Sequence, residues 1–138
     1  LTDADDTEPD TDLEKLRQTF LATPWASLDP IAVEVDIETP LAGVMTRSRI
    51  DAVFPDPRPE SAPGQVVVVD WKTGREPTDP AAVRAREVQL AVYRLAWSRW
   101  TGTPLDDVDA AFCYLGDGVT RRPARLLDVD ELEALLRG

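Results

Sequence analysis

The sequence predicts an α/β domain in which a central mixed β-sheet is flanked by helices. Four consecutive valines at 66–69 are typical of a central strand that is covered on both faces. In residues 31–38 large apolar side chains alternate with mostly acidic ones, and this period of two is typical of a half-buried strand. Residues 80–100 carry the start and end signals of a long helix. With 138 residues, the chain is long enough for one domain with a core.

The first predicted element is a helix over residues 13–22. Its apolar residues recur at helical spacing, Asp12 lies where an N-cap belongs, and Pro24 follows its end. A hairpin of two strands comes next, at 31–38 and at about 44–54. The alternation predicts one buried face on the first strand, formed by Ile31, Val33, Val35 and Ile37.

The stretch 55–64 is rich in proline and charge, so we expect an exposed loop before the central strand at 65–71. The long helix then begins at Pro80, with Asp79 as its N-cap. Gly102 and Pro104 mark its end. Its core stripe is predicted to be Val88, Ala91, Val92 and Leu95.

A second hairpin and a short helix complete the predicted order. The turn signal at 116–118 joins a strand at 109–115 to another at about 119–126. The last helix, 129–136, is expected to be capped by Asp128. The elements therefore follow the order αβββαβ, with a C-terminal hairpin strand and helix added.

Composition limits how this chain meets other molecules. Residues 1–12 contain six acidic side chains and are predicted to be a disordered leader or linker, with the domain at 13–138. The net charge of −11 argues against holding nucleic acid by bulk electrostatics alone. An acidic domain that contacts DNA needs a metal ion or a basic neighbour.

Two residue types exclude whole classes of site. The chain has no histidine, which excludes histidine catalysis and zinc sites with histidine ligands. Its single cysteine, Cys113, excludes an internal disulfide and a cysteine-bound iron–sulfur cluster within this chain. The single cysteine fits a reducing compartment, so we expect a cytoplasmic protein. No apolar run approaches a membrane span, and the start at Leu1 suggests a fragment of a longer protein.

Lysine usage singles out one position. The chain has thirteen arginines and only two lysines, Lys15 and Lys72. Lys72 follows Asp70 by two residues, so the two side chains share one side of the pleat about 7 Å apart along the strand. Because lysine is a compact point charge that arginine does not replace, this pair suits a metal ligand beside a charge stabiliser.

Further polar residues are predicted to join this pair. Asp51 lies on the neighbouring strand, and Gln89 and Tyr93 are four residues apart on one face of the long helix. Two carboxylates on adjacent strands suit a hard cation such as Mg²⁺, which activates a water and polarises a phosphoryl oxygen. Lys72 would orient that water or offset charge on the phosphate. The pattern predicts metal-assisted phosphodiester hydrolysis.

Asp51, followed by Asp70-x-Lys72 on the next strand, resembles the core of the PD-(D/E)xK nucleases. The strings RIDAVF, VVVVDWKTG and VQLAVYRLAW are similar to the RecB-type branch of that superfamily. Nuclease domains of this branch lie at the C-termini of DNA-repair helicases. The resemblance covers about residues 13–116 and implies a DNA nuclease, with exonuclease action favoured, within a DNA-repair and recombination helicase–nuclease.

The resemblance also implies roles for individual residues. Asp51 and Asp70 would bind Mg²⁺ or Mn²⁺, Lys72 would be catalytic, and Gln89 and Tyr93 would line the site. It implies DNA as one partner, and as another an ATP-dependent helicase motor domain on the same parent chain or on a partner subunit. The chain departs from the resembled branch in two ways. Many members carry a histidine metal ligand on an upstream helix, and some carry cysteines that bind an iron–sulfur cluster, whereas this chain has neither.

Glu34 is a further candidate metal ligand, because the resembled family often has an acidic residue on the first strand. An alternating strand also places such a residue in solvent, and we favour that interpretation. Trp71 is expected to be a core or covering residue, although it adjoins the site, and Cys113 an inert core thiol. The arginines at 121, 122 and 125 fit either a phosphate contact or a charged sheet edge.

Three functional classes therefore remain open. The first is an active metal-dependent DNA nuclease domain, which the set of Asp51, Asp70 and Lys72 favours. The second is an inactive nuclease-like domain that binds DNA or braces a helicase motor, which the absent histidine favours. The third is an acidic α/β protein-interaction module, which the net charge alone favours.

Overall fold

A five-stranded mixed sheet forms the centre of the domain, as the sequence predicts. The computed structural model describes the backbone of residues 10–138 and the side chains of residues 13–138. The elements are α1 (Asp10–Leu21), β1 (Ala32–Leu41), β2 (Val44–Pro55), β3 (Val66–Lys72), α2 (Pro80–Thr101), β4 (Val108–Tyr114), β5 (Val119–Arg121) and α3 (Val129–Arg137). Short 3-10 helices lie at Pro24–Ser27 and Leu105–Asp107.

The strands lie in the order β1-β2-β3-β4-β5. Only β3 and β4 are parallel, since α2 connects them, and the other neighbours are antiparallel. The valines at 66–69 are buried on both faces of the sheet, as expected for a central strand. One core lies between the sheet and α2, and the other lies between the sheet and the N-terminal helices. The α/β prediction is confirmed.

The N-terminal helix starts earlier than predicted. Helix α1 (Asp10–Leu21) already includes Asp10, so Asp12 lies inside the helix and is not the N-cap. The other part of the predicted leader, residues 1–9, lies outside the described residues. Within the part of the chain that is described, no helix is both long enough and apolar enough to cross a bilayer.

Helix α2 begins and ends at the predicted signals, but the apolar stripe that packs on the sheet is not the predicted one. The Asp79 carboxylate accepts a hydrogen bond from the backbone N–H of Ala82 at 3.1 Å, and Gly102 ends the helix at φ 78°. The residues that pack on the sheet core are Leu90, Tyr93, Ala96 and Trp97. The predicted stripe, from Val88 to Leu95, instead packs in a smaller cluster with Leu41 and Leu132 of β1 and α3.

The predicted alternation of β1 is wrong at its start. Ile31 and Val33 are exposed, whereas Ile37 is buried. Glu34 has φ 50°, and the register passes from the pair Val33–Ala52 to the pair Val35–Ile50 without a ladder pair at Glu34. This left-handed residue shifts the phase of the alternation, since the side-chain period of a strand holds only for extended backbone.

An ion cluster ties the loop after β2 to the segment after β5. The Arg122 guanidinium donates to both carboxylate oxygens of Asp56, at 3.1 and 3.0 Å, and to Asp109 at 3.0 Å. The side chain of Asp56, 2% exposed, is thus buried within a stretch predicted to be exposed. Strand β5 ends at Arg121, short of its predicted end, and Pro123 has no N–H to donate to a longer ladder.

Candidate functional site

The ladder between β2 and β3 ends at the predicted carboxylates. Its last pair is Ala52 with Val69, so Asp51 and Asp70 face each other one step beyond it. The Asp51 carboxylate accepts a hydrogen bond from the backbone N–H of Trp71 at 2.8 Å. Where the backbone ladder between β2 and β3 ends, the Asp51 side chain therefore provides the next hydrogen bond between the two strands.

The two carboxylates form a buried pair. Asp51 is 4% exposed and Asp70 is 3% exposed. Burial, followed by the hydrogen bond with Asp51, raises the pKa of Asp70 to about 7, although the charge of Lys72 acts in the opposite direction. Because ionising Asp70 beside a second carboxylate is costly, Asp70 keeps its proton to a higher pH than an exposed carboxyl does.

Lys72 connects this pair to α2. Its ammonium lies 3.1 Å from Asp70 Oδ2 and donates a long hydrogen bond to Gln89 Oε1 at 3.4 Å. The Gln89 amide in turn donates to the Tyr93 hydroxyl at 3.1 Å. The five residues therefore form one continuous chain of polar contacts, from the point on β2 where its ladder with β3 stops to the middle of α2.

Closely packed backbone holds the end of β3 in place. The N–H of Leu115 donates to the carbonyl of Lys72 at 2.8 Å. A Cβ at Gly116 would lie 3.0 Å from the carbonyl oxygen of Gly74 and 3.2 Å from that of Thr73. A larger residue at position 116 would crowd this approach, so glycine suits the turn directly after Lys72.

Glu34 lies across from Asp51 on β1, where its side chain faces solvent. The side chain is 63% exposed, and its carboxylate is 4.0 Å from the guanidinium of Arg49. Glu34 and Asp51 line an open cavity of about 290 Å³ together with Val33 and Trp71. Within residues 13–138, no three Asp, Glu, Cys or His side chains are grouped so that they could hold a metal ion.

Asp51 and Asp70 nevertheless have the chemistry of a divalent-cation site. Asp70 Oδ2 is buried and contacts the Lys72 ammonium at 3.1 Å, next to the Asp51 carboxylate. Carboxylate oxygens are the ligands that Mg²⁺ and Mn²⁺ prefer, and Mg²⁺ is commonly bound by one or two carboxylates with waters filling its other positions. A cation would also offset the cost of a buried Asp70 carboxylate, so the residues present fit this group.

The remaining residues singled out in the sequence have structural partners. Trp71 packs edge-on against Phe20, with ring centroids 5.3 Å apart, and therefore covers the core between α1 and the sheet. Burial raises the pKa of the Cys113 thiol to about 11, which fits an inert core residue. Arg121 pairs with Glu76, and Arg125 with Glu131.

One neighbour of the site was not predicted from the sequence. Arg86 places its guanidinium over the ring of Tyr114, 5.6 Å from the centroid. Tyr114 is the ladder partner of Lys72 on β4. The spacing of three residues between Arg86 and Gln89, which puts both on one helix face, is the signal that could have identified it.

Comparison with known families gives one match over nearly the whole chain. A profile described as the PD-(D/E)XK nuclease superfamily matches residues 7–137. No curated protein matches the chain.

Proposed function

Since the chain belongs to the PD-(D/E)XK nuclease superfamily, we propose that it is a metal-dependent DNA nuclease domain that hydrolyses phosphodiester bonds at the end of β3. The observation that carries this proposal is the continuous chain of contacts from Asp51 through Asp70, Lys72 and Gln89 to Tyr93. A polar strand end without function does not need five linked side chains in a largely buried position.

Each side chain has a role that its position supports. Asp51 and Asp70 would hold Mg²⁺ or Mn²⁺, which when bound supplies an activated water and polarises the phosphate. The Lys72 ammonium, beside Asp70 and 12% exposed, would stabilise negative charge as it builds on the phosphate. Gln89 accepts from Lys72 and donates to Tyr93, so these two residues would hold the ammonium in position.

The proposal extends to the RecB-type branch and to its usual setting. The string VQLAVYRLAW supports this, because its Gln89 contacts both Tyr93 and Lys72. In that setting the domain would act on DNA ends as an exonuclease in DNA repair and recombination. Its partners would be DNA and a helicase motor, on the same parent chain or on a partner subunit, in the cytoplasm.

A second candidate is an inactive nuclease-like domain that binds DNA or braces such a motor. The observation that favours it is the small ligand set, because Glu34 faces solvent and the chain has no histidine. The acidic interaction module that the net charge alone favoured lacks support once the family is known. The intact Asp51, Asp70 and Lys72 set favours the active nuclease.

A cleavage assay distinguishes these candidates. The purified protein is incubated with end-labelled single- and double-stranded DNA, with Mg²⁺, with Mn²⁺ or with a chelator. We expect cleavage that requires the metal and that Asp70→Ala abolishes. The matched control is Asp36→Ala, which removes an exposed carboxylate of β1 and should leave cleavage unchanged.

Metal binding is measured on the same proteins by calorimetric titration with Mn²⁺. Asp70→Ala should lose most of the heat of binding, and Asp36→Ala should retain it. Equal binding by the wild type and Asp70→Ala would contradict the metal site. DNA binding by the wild type without cleavage under any metal condition would favour the inactive nuclease-like domain.

A further inference from the structure

A small cavity lies on the same face of the sheet as Lys72, farther towards β5. It has a volume of about 180 Å³ and lies between the first half of α2, β4 and the segment that follows β3. Phe112 and Tyr114 of β4 contribute two aromatic rings to its lining. The charged side chains around it are Arg86, Arg121, Arg122, Glu76 and Glu87.

Arg86 differs from the other two arginines of this cavity. Arg121 is paired with Glu76 at 2.8 Å, and Arg122 is occupied by Asp56 and Asp109. Arg86 forms no ion pair with any described residue, and its Nη1 is buried without a hydrogen-bond partner there. Because burying an unpaired charged donor costs free energy, such a group commonly has a partner that arrives from outside the protein.

The position of Arg86 relates it to the proposed catalytic residues. Its guanidinium stacks over Tyr114, and Tyr114 pairs with Lys72 across the β3–β4 ladder. Neighbouring strands are about 5 Å apart, so the cavity begins roughly one strand beyond Lys72. Arg86 also precedes Gln89 by three residues, which places both side chains on one face of α2.

We propose that Arg86 binds a backbone phosphate of the DNA next to the phosphate that is cleaved. The planar guanidinium matches phosphate oxygens with paired N–H donors, and stacking on Tyr114 orients it before DNA arrives. The carboxylates nearby leave this guanidinium available, because Glu76 is paired with Arg121 and, among the described residues, Glu87 forms no ion pair with Arg86. This inference rests on the proposed nuclease function.

The test compares kcat/KM for DNA cleavage with Mg²⁺ in the wild type and in variants at position 86. We expect Arg86→Ala and Arg86→Gln to lower kcat/KM on the order of tenfold or more, with Arg86→Lys between them and the wild type. The salt dependence of log KM should fall in slope by about 0.7 to 0.9, as for one lost phosphate contact. The matched control is Arg84→Ala, which removes an exposed arginine of α2.

DNA carrying a neutral methylphosphonate at one position at a time identifies the contact. At one position next to the cleaved phosphate, the methylphosphonate should lower kcat/KM of the wild type by about the same factor as the substitution Arg86→Gln. The same methylphosphonate should not lower kcat/KM of the Arg86→Gln variant any further. Equal kcat/KM in Arg86→Gln and wild type, or an additive penalty at every position, would overturn the inference while leaving the nuclease function standing. A wild type that neither binds nor cleaves DNA would overturn both.

Discussion

Replacing Asp70 with asparagine should stabilise the metal-free protein at pH 8. The Asp70 carboxyl is buried against Asp51, and its pKa of about 7 is well above its ordinary value of 3.8. The folded protein therefore holds this proton more tightly than the unfolded chain. Stability from this group is greatest below pH 4, falls as the pH rises from 4 to 7, and stays low above pH 7.

The size of the effect follows from the same two pKa values. Each tenfold change in proton affinity corresponds to about 1.36 kcal/mol, so the rise from 3.8 to about 7 gives a penalty of up to about 4 kcal/mol at pH 8. Asparagine keeps the shape, carries no charge and can donate to Asp51. Asp70→Asn should therefore be more stable than the wild type at pH 8 by part of that penalty. Its stability should also no longer fall with Asp70 ionisation between pH 4 and 7.

Urea unfolding at pH 5, 6, 7 and 8, with a chelator or with Mn²⁺, measures both effects. Mn²⁺ at 100 times its dissociation constant should stabilise the wild type by about 2.7 kcal/mol. The apparent affinity for Mn²⁺ should be higher at pH 8 than at pH 5, where the ion must displace the proton of Asp70. Asp36→Asn is the control. An Asp70→Asn variant less stable than the wild type at pH 8 in chelator would refute the reasoning.

The remaining predictions concern the scaffold around the site. Arg122→Ala leaves the buried Asp56 carboxylate without its main partner and should destabilise the protein by about 3 kcal/mol in urea unfolding, whereas Arg121→Ala, at an exposed pair, should cost less than about 1 kcal/mol. Burial alone would raise the pKa of Asp56, but hydrogen bonds from Arg122 and Arg58 hold this pKa at about 2. The wild type should therefore lose stability as the pH falls from 4 to 2, and Arg122→Ala should lose less stability over the same range. Gly116→Ala places a Cβ 3.0 Å from the carbonyl oxygen of Gly74, so it should lower the free energy of unfolding by about 1 to 3 kcal/mol and slow cleavage. Gly74→Ala is the control, because no atom lies within 4 Å of its Cβ, and it should lower the free energy of unfolding by less. An equal effect of the two glycine substitutions, or of the two arginine substitutions, would contradict these assignments.

The order of elements could be predicted because its signals are local. The valines at 66–69 define a central strand, and Asp79 before Pro80 defines the start of α2. Asp128 likewise caps α3, where it forms a capping box with Glu131. Each of these signals acts within a few residues of the chain, so a single sequence contains them.

Features that depend on distant partners could not be predicted. The sheet-facing stripe of α2 was assigned wrongly because the helix has a second apolar stripe, which packs in a cluster with Leu41 and Leu132. The left-handed conformation of Glu34 has no signal in an alternating strand. The burial of Asp56 depends on Arg122, which is 66 residues away in the chain.

The proposed site could be predicted in part, because some of its features have local signals and others depend on distant partners. The spacing of Asp70 to Lys72, and of Gln89 to Tyr93, is a property of one strand and one helix, so the sequence indicates which side chains share a face. The contact between Lys72 and Gln89 depends instead on how α2 packs on the sheet. The raised pKa of Asp70 depends on burial, which spacing alone does not reveal.

The rate of DNA cleavage with Lys72 replaced tests the central proposal most directly. With Mg²⁺ or Mn²⁺ and single- or double-stranded DNA ends, Lys72→Ala should reduce the rate by on the order of 10²–10³ or more, while Mn²⁺ affinity stays close to that of the wild type. Lys72→Arg should not restore cleavage, because the larger planar guanidinium does not take the place of a compact ammonium. Cleavage by Lys72→Ala at the wild-type rate would contradict the assignment of nuclease activity to this site.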